Sequence, residues 1–356
     1  MGKFVSLVWD GVKLSVPTEM GNPLPHQLLS TPLDNLIELA GRVCYDSLGS
    51  KKSRASGEYH QHIIEVGHLS VQEHANFTVF FSKEQIEENC SSEMAFILSL
   101  LNRPGLWVKK APDGYRLTFN IRTAREWNAW GAESQFSWIT EQVAGVAAKH
   151  APLAMQGVQL PEIQFIQAVS PSNDDEIWVS LLIHSVSRGL THELVRHGDY
   201  TGISQRSTRF VDEHESPYAW HPLIVEFAAT NDAGLFFKAE QESRSAYGTL
   251  LSALEEFVKG KGVDKFTARK QARGAARGVL GNALATELIF SANLSQYKRI
   301  IALRAHPAAD AEIRLLAGEI FDVLSERFPD SFSGWRREPA PDGYGFSVLP
   351  PETVKS

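Results

Sequence analysis

The chain is 356 residues long, 43% hydrophobic and 22% charged, with a formal net charge of −7. That is the balance of a globular protein with room for one large domain or two ordinary ones, and it argues against nucleic-acid binding through bulk positive charge. The two cysteines, Cys44 and Cys90, lack C-x-x-C spacing, so neither a disulfide framework nor a cysteine-rich zinc site is expected. With no signal-peptide pattern and no apolar run of membrane length, the expected location is the cytoplasm, without a membrane partner.

In chain order, the alternating K-F-V-S-L-V-W run predicts a leading strand. Thr31-Pro32-Leu33-Asp34 predicts a helix start, with Thr31 as cap, Pro32 in the first turn and Asp34 near the positive end of the dipole. Leu36, Ile37, Ala40 and Val43 supply a buried stripe. Ser50 to Gly57 is polar and predicts a loop. Gly67-His68-Leu69-Ser70-Val71-Gln72-Glu73-His74 then runs into the strand-like Phe77-Thr78-Val79-Phe80-Phe81. Two histidines, a serine and a glutamate before a buried strand are either site residues or ordinary capping and turn residues. They lack the i, i+4 histidine pair of a metalloprotease helix, so no metal is expected.

From Lys83 to Leu101 the pattern predicts a helix, broken at Pro104-Gly105, with a strand over Tyr115 to Ile121 and further helix from Arg122 and after Phe136. Pro161 to Asp175 reads as a connector. Residues 83–176 are expected to be an inserted, mostly helical subdomain, with Arg122 and Arg125 as surface charges. The apolar run Ile177 to Leu194 leads into the densest polar stretch. Between Arg196 and Arg209 lie three arginines, one histidine and five hydroxyl side chains, punctuated by Gly198 and Gly202. Guanidinium forks grip phosphate oxygens in pairs and hydroxyls fill the remaining acceptor sites, which makes this a candidate anion loop. A solvated basic loop is the alternative. After the aromatic turn Pro217 to Pro222, four helices are expected: Ala233 to Lys259, Phe266 to Leu280, Ala283 to Arg304 and Ala309 to Phe328. In the third, Asn293, Tyr297, Ile300 and Arg304 share a stripe, and an arginine among apolar neighbours needs an internal carboxylate or an anionic ligand. The Pro/Gly-rich tail, residues 331–356, is expected to be ordered only in part.

Taken in order, these pieces resemble the flavin-dependent thymidylate synthases, the ThyX family. The resemblance rests on His68-x-Ser70-x-x-Glu73-His74 with Phe77-Thr78, and on Arg196-His197 continuing to Ser204-Gln205-Arg206-Ser207-Thr208-Arg209-Phe210-Val211. It rests further on Arg277, Asn293, Leu303-Arg304 and Glu312-Ile313-Arg314, and covers residues 31–82 and 177–328. It implies an α+β fold, a ThyX-like domain divided between residues 1–82 and 177–330, with a central β-sheet, packed helices and a C-terminal helical region. It also implies a homotetramer binding FAD and dUMP at subunit interfaces, with methylenetetrahydrofolate as one-carbon donor and NADPH as reductant. Carried over residue by residue, His68, Ser70, Glu73, Arg196, His197 and Asn293 would contact FAD. Glu193, Gln205, Ser207, Arg209, Arg277 and Arg304 would hold the nucleotide, with Arg209 on its phosphate and Arg304 near the uracil. Arg304 and Ser207 are the catalytic candidates, the arginine by stabilising charge as the ring carbon becomes nucleophilic. Ser207 as a nucleophile has no identified base, which favours binding. No cysteine lies in a motif, so a thiolate adding to the ring is not expected.

The departures are specific. Gly198 stands where the family has a second loop arginine, the loop is one residue longer, Glu193 replaces Gln, Gly281 replaces Pro and Ser295 replaces the Arg of Asn-x-Arg. Arg299, or Arg122 in the triplet Asn120-Ile121-Arg122, would restore the missing charge. A carboxylate at Glu193 prefers a donor edge such as cytosine's amino group. That keeps open a ThyX-like flavoenzyme for another pyrimidine nucleotide or another transferred group, and, as a third reading, a non-catalytic nucleotide-binding protein.

Overall fold

The computed structural model describes residues 4–15, 31–47, 54–101, 105–131, 137–161, 166–197 and 202–352. The first half runs β1 (Val5–Trp9), α1 (Pro32–Cys44), α2 (Ser56–Glu65), β2 (Asn76–Ser82), α3 (Lys83–Asn89), α4 (Glu93–Leu100), β3 (Leu106–Ala111), β4 (Gly114–Asn120), α5 (Ile121–Gly131) and α6 (Ser137–His150). It continues β5 (Ala168–Val169), β6 (Trp178–Ser187), α7 (Arg188–Leu194), β7 (Gly202–Gln205), α8 (Pro222–Thr230), α9 (Gly234–Lys259) and α10 (Lys265–Ala276). The last part is β8 (Ala285–Asn293), α11 (Leu294–Arg304), α12 (Ala311–Arg327), β9 (Arg336–Pro339) and β10 (Phe346–Leu349). Strands pair antiparallel in two four-stranded sheets, β1-β6-β8-β7 and β3-β4-β2-β5, with a β9–β10 hairpin. This is the expected α+β class.

Side chains alternate across β6 and β8, and each face of their sheet feeds a different core. Leu181, Ile183, Leu288 and Phe290 pack under α7, α11 and α12. Leu182 and Ile289 join a second core with α1, β2, β4, α5 and α6. Helix α1 therefore carries more than a stripe, because Leu33 through Cys44 are all buried. Its polar residues find partners inside, apart from the second carboxylate oxygen of Glu38. Arg42 donates to Glu38 at 2.8 and 2.6 Å and to the Arg54 carbonyl, and Asp34 accepts from the Leu153 and Ala154 amides. Thr31 caps the helix as expected, accepting from the Asp34 amide.

Four sequence expectations need correction. Lys83 to Leu101 is two helices, because Ser92 caps a fresh start by accepting from the Ala95 amide. Strand β3 went unread, since L-W-V-K-K-A has no clean alternation. Ala283 to Arg304 is not one helix: β8 occupies its first half and α11 its second. A central strand buried on both faces reads as a continuous apolar run, which periodicity cannot tell from buried helix. The tail is ordered through residue 352, where β9–β10 packs on α12, the Val348 amide donates to the Ala305 carbonyl and Arg314 is bonded to Asp342. Gly198, residues 50–53 of the expected 50–57 loop and residues 16–30 lie outside the described residues. Among the described residues no helix is long and apolar enough to cross a membrane.

Candidate functional site

The carried-over side chains sit near the ends of strands and helices and in the short turns beyond them, where a rigid scaffold can aim them. Asn293 ends β8 and caps α11. Its Oδ1 accepts from the Gln296 amide at 2.8 Å, and its Nδ2 donates to the Asp175 carbonyl at 3.1 Å. Tyr297 and Ile300, on the same stripe of α11, are buried in the sheet core. That anchoring presents Arg304 to the single-turn helix Val195–His197, which follows α7. Arg304 Nε donates to His197 Nε2 at 2.8 Å, and Nη1 to Glu193 Oε2 at 3.1 Å. The internal carboxylate that Arg304 needs is thus Glu193. Burial, with the Arg304, Arg299 and Arg196 charges around it, holds His197 below the ordinary imidazole range. A neutral ring has a free lone pair on Nε2, as the Arg304 bond requires. Arg196, His197, Gln296, Arg299 and Ile300 line a cavity of about 60 Å³. It shares Gln296 and Arg299 with a cavity of about 490 Å³ that runs past Asn293 and Ser295 to the β3–β4 hairpin.

A second cluster forms where β7 leaves the sheet. The Ser207 amide donates to the Cys44 carbonyl at 2.9 Å, which ties the turn to the end of α1. Arg277 Nη1 donates to Thr208 Oγ1 at 3.1 Å. The Tyr45 hydroxyl lies 3.0 Å from His68 Nδ1, and the Tyr45 ring meets Phe210 edge-on at 4.8 Å. Arg209 is exposed beside Gly274 and makes no ion pair among the described residues. Arg206, by contrast, is bonded to Glu213 at 2.5 Å and to Ser216, so that loop arginine is structural. Gln205, the last residue of β7, donates to the Thr191 and Thr286 hydroxyls. Cys44 stays a thiol at neutral pH, because burial pushes it up to about 11.

Glu73 is paired with Arg122, a residue of neither cluster. Arg122 donates to it at 2.6 Å and to Glu126 at 2.8 Å. Burial raises the Glu73 carboxyl despite the guanidinium beside it. Arg125 donates to the Ala154 and Gln156 carbonyls. Neither arginine is therefore the free surface charge the sequence suggested. Ser70 is half-buried on the turn Leu69–His74. Between the Arg304 and Arg277 clusters no hydrogen bond or ion pair passes among their described site residues.

Sequence reasoning missed the polar hub that sets β7. His74 is fully buried; its Nδ1 bonds Ser291 Oγ at 2.7 Å and its Nε2 bonds Ser204 Oγ at 2.8 Å, while Ser291 reaches Ser180 at 2.6 Å. The available signal was a serine interrupting each of two apolar strands, W-V-S-L-L-I and L-I-F-S-A-N. Gly202 lies flat on this hub: a Cβ there would sit 3.0 Å from His74 Nδ1 and 3.1 Å from the Glu73 and His74 backbone. Gly202→Ala is expected to lower stability by about 1–3 kcal/mol through overpacking. An unchanged urea midpoint would show that β7 is not clamped there.

The sequence profile of the family described as thymidylate synthase complementing protein matches residues 27–91 and 176–330, more than half of the chain. The chain belongs to this family. Relatives named flavin-dependent thymidylate synthase include those of Corynebacterium efficiens, 35% identical over 171 residues, and Corynebacterium glutamicum, 38% identical over 171 residues; each match covers 48% of this chain and 67% of the relative. That of Mycobacterium sp. (strain KMS) is 38% identical over 175 residues, covering 48% of this chain and 68% of the relative. Both matched segments meet in the core built on α1 and β2, whereas the core under α7, α11 and α12 takes nothing from the first of them; residues 92–175, outside the family match, supply β3, β4 and the Arg122 partner of Glu73.

Proposed function

We propose that this chain is a flavin-dependent thymidylate synthase, converting dUMP to dTMP with methylenetetrahydrofolate as one-carbon donor, FAD as cofactor and NADPH as reductant. The observation that carries this reading is selective charge. Arg196, Arg209, Arg277 and Arg299 have no carboxylate partner among the described residues, whereas Arg42, Arg116, Arg206 and Arg314 are each paired. Unpaired guanidiniums gathered at cavity edges and turns suit phosphate-bearing ligands, and this donor set fits both a dinucleotide and a nucleotide monophosphate.

In this reading Arg196, His197, Asn293 and Arg299 hold the flavin nucleotide, as do His68, Ser70 and Glu73. Ser207, Arg209 and Arg277 grip dUMP. Arg304, aimed by His197 and Glu193, stabilises negative charge on the uracil as its ring carbon becomes nucleophilic. When bound, the reduced flavin supplies the hydride that completes the methyl group. Glu193 favours uracil over cytosine here, since its carboxylate already accepts from Arg304 instead of awaiting an amino group.

The two arginine clusters of one chain meet, in this proposal, across subunits. Helix α9 buries only Tyr247 and Val258, while Leu235, Phe237, Phe257 and Phe266 on α9 and α10 are 61–72% exposed. Apolar surface of that kind marks a protein contact, consistent with the homotetramer that the family resemblance implies, in the cytoplasm. Tritium release from ring-labelled dUMP, dependent on NADPH and folate, tests the activity. Arg209→Ala is expected to weaken dUMP binding about 10- to 100-fold by calorimetry while sparing flavin content. Equal dUMP affinity in that variant removes Arg209 from the phosphate.

A further inference from the structure

The cavity of about 490 Å³ has two walls of different origin. The first turns of α11 form one, with Asn293 and Arg299. The β3–β4 hairpin forms the other, with Trp107 and Lys109, and it belongs to the stretch that the family match leaves out. The hairpin wall therefore lies outside the matched family segments. Its chemistry is mixed in a particular way. Arg116 and Glu176, also at the cavity, cancel each other at 2.8 Å. Lys109 and Arg299 make no ion pair among the described residues, so two cations remain available. Trp107 is a fixed platform, packed on Trp178 with centroids 4.6 Å apart. Asp175, an exposed residue of the lining, takes Asn293 through its backbone carbonyl, which leaves the carboxylate for other donors.

An inorganic anion needs neither an indole nor this volume. A purine stacks on tryptophan, a diphosphate takes two cations, and ribose hydroxyls or an exocyclic amine donate to a carboxylate. We propose that this cleft binds the adenosine diphosphate moiety of an adenine dinucleotide, with Trp107 and Lys109 of the hairpin making direct contacts. The hairpin charge would stand in for the arginine replaced by Ser295. The proposal rests on the flavoenzyme reading above, in which both FAD and NADPH carry that moiety.

The test uses the full chain, freed of flavin and titrated calorimetrically with ADP, FAD and NADP. Wild type is expected to bind ADP, with Lys109→Ala and Trp107→Leu each weakening it roughly five- to tenfold. Lys110→Ala, whose charge lies with Glu93 at 3.0 Å, should bind as wild type does. ADP displaced by FAD alone assigns the cleft to the flavin, and ADP displaced by NADP alone assigns it to the reductant; both carry the proposal. If wild type binds FAD but the hairpin variants match it for every ligand, the hairpin contact is wrong and the flavoenzyme reading stands. If wild type binds none of the three, both fall.

Discussion

Replacing Arg304 by alanine is expected to lower kcat for dTMP formation about 10²- to 10³-fold while flavin content stays at the wild-type level. That is the usual loss when one preorganised donor to a developing charge is removed. The structure explains why the effect should be large. Arg304 is not a mobile surface charge: His197 receives its Nε–H, Glu193 its Nη1–H, and buried Tyr297 and Ile300 fix the helix turns below it. Arg304→Lys keeps the charge but loses the planar fork that bridges two partners, so an intermediate loss is expected. Glu193→Gln should cost less than either, because a neutral acceptor still orients the guanidinium. A wild-type kcat in Arg304→Ala would remove this residue from the chemistry.

His74→Ala is expected to destabilise the fold by about 2–4 kcal/mol, by opening a cavity and leaving buried serine hydroxyls short of a partner. The same histidine gives stability a characteristic pH dependence. An exposed imidazole titrates near 6.5, and complete burial pushes the His74 ring down to about 3. The unfolded chain therefore takes up a proton at a pH where the folded chain refuses one. His74's contribution is complete above about pH 6.5 and is lost as pH falls towards about 3, at about 1.4 kcal/mol per unit. Between pH 7 and pH 5, wild type should lose about 2 kcal/mol more than His74→Gln, which cannot titrate. Denaturant melts at both pH values read this difference, and parallel losses in the two proteins would exclude His74 as its source.

Candidate site residues could be proposed from the sequence; their partners could not. Arg196, His197 and Arg304 could be named as candidates through the family resemblance, and Thr31-Pro32-Asp34 announced α1 because capping is local. Arg304's pairing with Glu193 spans 111 residues, and no periodicity encodes such a contact. Strand β8 was read as helix for a related reason: burial on both faces erases the alternation that identifies a strand. Arg122 looked like solvent-facing charge until α5 was placed beside the turn carrying Glu73. The unread pieces are those whose identity depends on what packs against them.

The packing of α1 has a consequence for how the polypeptide is made. Asp34 finds its amide partners only at residues 153 and 154, and β1 finds its neighbour only at β6. A nascent chain must therefore keep α1 and β1 waiting until residues 153 to 187 have been made. During that interval α2 and the Leu69–His74 turn can cover one side of α1, while the sides that meet α6, β7 and β8 stay open to water.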